Sequence, residues 1–156
     1  MNWNAMYQLC NQTVTIYHAI YFPNGEFVCE QRQMNRVYFD CVKRRQVDVS
    51  TSRQEQGFLL VIPNQTSMPR WKDGIAFDNM TPEERESFYT LQPGDKVILG
   101  QGPTVQTRQE WAALTPERVD NLVTVKCMDV KYFNQQICHV EFEGMRSYAP
   151  RISRSR

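Results

Sequence analysis

The chain has 156 residues, 41% of them hydrophobic and 22% charged, with a net charge of +1 at pH 7. That length suits one domain with its own core, and the apolar fraction excludes a disordered chain. The longest purely apolar run, residues 58–62, falls far short of the roughly 20 residues a membrane helix needs, and so small a net charge declares no partner through a global field.

TVTIYHAIY (residues 13–21) alternates, with Val14, Ile16, His18 and Ile20 on one face and Thr13, Thr15 and Tyr17 on the other. Period two with β-branched residues predicts a half-buried strand. Asn24-Gly25 is a hairpin signal, since both residues tolerate positive φ. The return strand starts at Glu26 and runs past Cys29, and residues 36–42 (RVYFDCV) read as a separate strand. Residues 43–57 are polar apart from a Val47-Asp48-Val49 alternation, which suits an extended hairpin arm or a loop. FLLVIP is a core strand stopped by Pro63, which cannot donate to a ladder. Residues 64–80 read as a long irregular loop.

At residue 81 a helix start is written in full. Thr81 caps, Pro82 takes the first helical position and Glu84 closes a capping box. The helix is short because QPGD follows. Thr107 with Glu110 opens a second helix, and TPERVDN (residues 115–121) reads as a third start. Two long strands then flank a turn at Asn134-Gln135, with Val123, Val125 and Cys127 on one face of the first and Cys138, Val140 and Phe142 on one face of the second. The total is seven strands and two or three short helices without a βαβ rhythm. The expected fold is mainly β: a small antiparallel β-barrel or sandwich with extended loops.

The glycine-rich stretch LQPGDKVILGQGPTV is the one candidate phosphate loop. Such a loop needs glycines running into Lys-Ser/Thr at a helix start. Here Gly94-Asp95-Lys96 runs into Val97-Ile98-Leu99, a strand, so Pro93-Gly94 reads as the centre of a tight turn. His18 reads as a satisfied core residue and His139 as facing polar surface or a neighbour. No nucleophile elbow or metal-ligand spacing is present, so the sequence predicts no enzyme, metal or cofactor. The opening MNWNAMYQLC lacks a secretory pattern. The five cysteines are expected to be reduced thiols, although hairpins bring Cys29 near Cys41 and Cys127 near Cys138.

What remains is surface. Lys43, Arg44, Arg45 and Arg53 cluster in the polar arm, and Arg151, Arg154 and Arg156 in a tail with no acid after Glu143. Both clusters suit contact with an acidic neighbour or with phosphates, and both also suit plain solvation. Trp71 reads as an interface anchor or as packing back on its own domain.

The order TVTIYH, RVYFDCV, a polar arm, FLLVIP, SFYTLQPGDKVILGQG and NLVTVKCMDVKYFNQQICHVEFEG resembles the minor capsid or head–tail connector proteins of tailed phages of Gram-positive bacteria. The resemblance implies a barrel over residues 13–144, an N-terminal extension (1–12) and a basic C-terminal tail (145–156). It implies a structural virion protein of the neck, stopper-like, present in the host cytoplasm during assembly. Six or twelve copies would form a homo-oligomeric ring between a portal or adaptor protein above and a tail protein below. That ring would touch packaged DNA weakly, without sequence preference, and would involve no membrane. Lys43, Arg44, Arg45, Arg53, Trp71, Arg151, Arg154 and Arg156 are the candidate intersubunit or lumen contacts. The alternatives are a tail-completion or terminator protein, and a stand-alone β-barrel module that binds nucleic acid.

Overall fold

The computed structural model describes residues 7–47 and 52–147, the backbone alone being described for 42–47, 52–56 and 146–147. Eight strands are present: β1 (Gln12–Tyr21), β2 (Phe27–Val47), β3 (Ser52–Pro63), β4 (Arg70–Trp71), β5 (Phe88–Tyr89), β6 (Lys96–Leu99), β7 (Leu122–Phe133) and β8 (Gln136–Ser147). Six of them close a barrel in the order β1-β2-β3-β8-β7-β6, with every neighbouring pair antiparallel. The expected fold class is therefore the observed one, and the barrel leaves no open sheet edge. Three short helices that accompany it lie wholly within the described residues: α1 (Gly74–Asp78), α2 (Pro82–Arg85) and α3 (Arg108–Ala113). No helix among the described residues is long and apolar enough to cross a membrane.

Three bulges among the described residues set which side chains line the interior. The one in β8, where Lys131 pairs with His139 but Tyr132 with Ile137, brings Ile137 rather than the expected Cys138 to the core. β2 is one strand where the sequence read as two. Gln12 pairs with Val37 but Val14 with Met34, so β2 carries one extra residue, and Arg36 sits there at φ 58°. The extra residue flips the alternation, which lets Met34 and Val37 both be buried. A second bulge between Val125 and Cys127 does the same in β7. Val123 and Val125 face the core as expected, but Cys127 is exposed, and Met128 and Val130 take over the packing opposite Phe142 and Val140.

The interior is filled by residues such as Val14, Ile16, Phe39, Leu60, Ile62 and Phe142. Segment 64–80, expected to be irregular, carries β4 and α1. β4 pairs in parallel with β5, and Trp71 and Tyr89 join the interior cluster. A second cluster lies outside the wall, where Tyr17, Ile98 and Leu122 meet Val105, Trp111 and Leu114 of the loop and helix after β6. β1 is therefore not half-buried: Thr15 and Tyr17 are as covered as Ile16.

The glycine-rich stretch builds this outer layer. Gly94 sits at φ 95° in a turn closed by the Asp95 amide donating to the Gln92 carbonyl, 2.9 Å. Beyond β6 the loop is pinned to β1. Thr15 Oγ1 donates to the Gly100 carbonyl (2.8 Å) and accepts from the Gly102 amide (2.9 Å), and Tyr17 Oη donates to the Pro103 carbonyl, 2.7 Å.

The turns show two further differences from expectation. At Asn24-Gly25 only Gly25 has positive φ, and its amide donates to the Phe22 carbonyl. This is a three-residue loop with a type I turn rather than a two-residue one. Residues 115–121 form a single turn, not a helix, before Asn121 at φ 61° leads into β7. The turn at Asn134-Gln135 is a two-residue hairpin with both residues at positive φ.

Candidate functional site

The basic arm is a paired ribbon. The β2–β3 ladder continues from Val42 opposite Gly57 to Val47 opposite Ser52, with Lys43 opposite Gln56, Arg44 opposite Glu55, Arg45 opposite Gln54 and Gln46 opposite Arg53. Four of the predicted contact residues thus share one extension of the barrel wall. Arg151, Arg154 and Arg156 lie outside the described residues. Of the two readings of Trp71, the structure shows the second. The indole is 8% exposed, with its ring 5.6 Å from that of Tyr89 and 5.8 Å from that of Phe142.

Sequence reasoning missed a buried charged tie. His18, on β1, has Nδ1 2.5 Å from Asp95 Oδ2 and Nε2 2.7 Å from Asp78 Oδ1. Ionised carboxylates only accept, so with both acids charged each ring nitrogen donates and the ring is held as an imidazolium. Asp95 also accepts from the amides of Gln92 (2.7 Å) and Ala19 (3.3 Å), while Phe77 stacks edge-on to the His18 ring. Burial alone would lower the His18 pKa, but the hydrogen bond and charge of Asp95, then those of Asp78, outweigh it and raise it. A ring that donates from both nitrogens has no lone pair for a substrate proton, so as arranged it fastens α1 and the Gln92–Asp95 turn to the barrel. The local signal for this was the lone acid Asp95 between a turn glycine and a buried strand.

Of the two readings of His139, polar surface or a neighbour, the structure shows neighbours within the fold. His139 is 1% exposed, with Nδ1 3.0 Å from Tyr7 Oη and Nε2 3.4 Å from Glu141 Oε2. Burial lowers its pKa, against the opposing pull of Glu141. Tyr7, whose own pKa burial pushes up to about 12, comes from the segment before β1, which no strand alternation reveals.

Lys96 is spent within the fold. Its Nζ donates to the carbonyls of Trp111 (2.8 Å) and Leu114 (2.7 Å) and lies 4.2 Å from the Trp111 ring centroid. This lysine after Gly94-Asp95 therefore caps α3. Cys29 faces Ala19, Cys41 faces Phe58 and Cys127 faces Glu143, so neither cysteine pairing considered from the sequence is a cross-strand pair. No group of three or more His, Cys, Asp or Glu among the described residues is placed to hold a metal ion. The largest exposed apolar side chains include Tyr132 and Phe133, 64% and 55% exposed, at the tip of the β7–β8 hairpin.

Residues 9–145 match DUF6751, a family of unknown function. No curated protein matches the chain, and no solved structure does.

Proposed function

The chain belongs to the DUF6751 family, whose function is unknown, and we propose, from the resemblance in segment order described above, that it is a structural virion protein of a tailed phage. Copies form a ring in the head–tail connector, joining the portal to the tail and helping to retain or gate the DNA that passes through. The observation that carries this reading is the combination of a closed barrel with a β2–β3 ladder that runs on as a basic arm. A closed barrel is a rigid body, and a ring needs two different faces on each copy that meet heterologously and close. The arm and the exposed hairpin tip at Tyr132 and Phe133 offer reach to a neighbour that a bare barrel lacks. The resemblance in segment order to phage connector proteins supplies the biological setting.

The test is the mass of the purified full chain, alone and mixed with a tailed-phage portal protein. A closed ring on the portal, of six or twelve copies, is the expected result. A chain that remains monomeric on the portal, and has no density in a map of the virion neck, overturns the reading.

A further inference from the structure

The arm has two unlike faces, and the ladder register says which residues share each. Directly opposed residues of an antiparallel pair lie on one face, as do alternate residues along a strand. β3 pairs with β2 on one side and β8 on the other, so rows of three can be followed outward. Leu60 lies between Phe39 and Phe142, and all three are buried in the barrel. Two residues on, Phe58 lies between Cys41 and Gly144, and Cys41 is already exposed, which marks the mouth. The next row on the same face is Lys43, Gln56 and Arg146, followed by Arg45 opposite Gln54.

The face that lines the barrel thus continues past the mouth with three cations, two glutamines and no acid. The opposite face over the same rows carries Arg44, Arg53 and Glu55, and nearer the barrel Asp40 and Glu143. Lys43 and Arg146 are a hundred residues apart in sequence, and in the chain they read as two separate basic clusters.

Resting on the neck reading, we propose that Lys43, Arg45 and Arg146 form one surface for the phosphate backbone of duplex DNA. The chemistry favours that partner over the others. Lysine and arginine neutralise phosphates, and glutamine amides hydrogen-bond phosphate oxygens without adding charge. The rows named carry no aromatic residue on which single-stranded bases would stack, nor an apolar anchor of the kind that holds a peptide. Three phosphate contacts per chain give a salt slope of about −2.7 in log K against log salt, so binding is weak and sequence-independent, as a conduit requires.

The test uses the full chain and a random-sequence duplex, with anisotropy titrations over a range of salt. Lys43→Gln/Arg45→Gln is compared with Arg44→Gln/Arg53→Gln, which removes the same charge from the other face, and Arg146→Gln is added to the first pair. The first double variant is expected to flatten the slope by about 1.8, the triple to abolish it, and the second double to leave it unchanged. Equal loss from both doubles, no binding by the parent chain at low salt, or equal binding of polyglutamate overturns the proposal. Assembly mass on the portal is read in parallel. A ring that forms without binding DNA sinks this inference alone, whereas DNA binding by a chain that never forms a ring sinks the neck reading alone.

Discussion

His18 and His139 are both buried, yet they respond to pH in opposite senses. His18 donates to two carboxylates, and its pKa is raised above the ordinary 6.5. Its contribution is therefore complete below 6.5 and is lost as pH rises through the raised folded value. His139 has its pKa lowered by burial, so the folded chain favours its neutral form. That contribution is present above 6.5 and is lost as pH falls through the lowered folded value. Of the two acids on His18, Asp95 is held by two backbone amides, whereas Asp78 is 38% exposed and so is the more easily released. Thermal unfolding across pH should show the parent chain losing stability on the alkaline side of 6.5. His18→Gln should remove that alkaline loss while leaving the acid-side loss that belongs to His139. It should also cost about 3 kcal/mol at neutral pH, because two carboxylates lose a buried cation. Asp78→Asn should cost only about 1 kcal/mol, one hydrogen bond at a part-exposed site. An alkaline limb unchanged in His18→Gln would show that the tie is not the group that titrates.

At the scale of elements, the helices separate what was legible from what was not. Both capping boxes exist as read: the Glu84 amide donates to Thr81 Oγ1 (3.3 Å) and the Glu110 amide to Thr107 Oγ1 (3.1 Å), with each glutamate side chain accepting the threonine amide in return. Thr115 begins the same way, but three residues on stands Arg118, which cannot accept, and the segment stops after one turn. The strands were legible where alternation or an apolar run was unbroken, as in residues 13–21 and 58–63. They were misread at the bulges, because an extra residue at Arg36, or between Val125 and Cys127, is set by pairing with the partner strand and leaves no mark in the strand's own pattern. The tie at His18 was hidden for a different reason: its carboxylates lie 60 and 77 residues away. The capping contrast is measurable. α3 brings Trp111 over Tyr17, Ile98 and Leu122, so fraying its start loosens the outer layer. Thr107→Ala should cost about 1 kcal/mol, a fall of about 3 °C in Tm for a chain of this size. Thr115→Ala should change Tm by less than about 1 °C, having no box to lose. Equal losses from the two would mean that tertiary packing of the threonine methyl groups, and not capping, sets their value.

For the whole molecule, the net charge of +1 conceals a strong segregation along the chain. Residues 43–56 and 145–156 hold eight of the 18 lysines and arginines but only two of the 17 acids, so they carry +6 and the remainder −5. A field that looked absent from the total is therefore present between parts, and in the proposed ring a basic extension on one copy would complement an acidic body on the next. Head-to-tail contact of that kind is heterologous, which is the condition for a closed ring. The two basic extensions need not share one task. On the proposed reading the inner face of the arm would meet phosphates, and the tail arginines Arg151, Arg154 and Arg156 would be left for the neighbouring body. Exposed charge pairs are screened beyond about 8–10 Å near physiological salt and beyond about 3 Å at 1 M. Assembly on the portal, followed by mass, should weaken as salt rises across that range. Arg151→Glu/Arg154→Glu/Arg156→Glu should block it at low salt, because reversal turns attraction to the acidic body into repulsion. Lys43→Gln/Arg45→Gln should leave the assembled mass unchanged while weakening DNA binding. If the tail reversal instead leaves the mass intact and lowers only DNA affinity, the tail belongs to the lumen with the arm, and apolar contact at Tyr132 and Phe133 is what joins the copies.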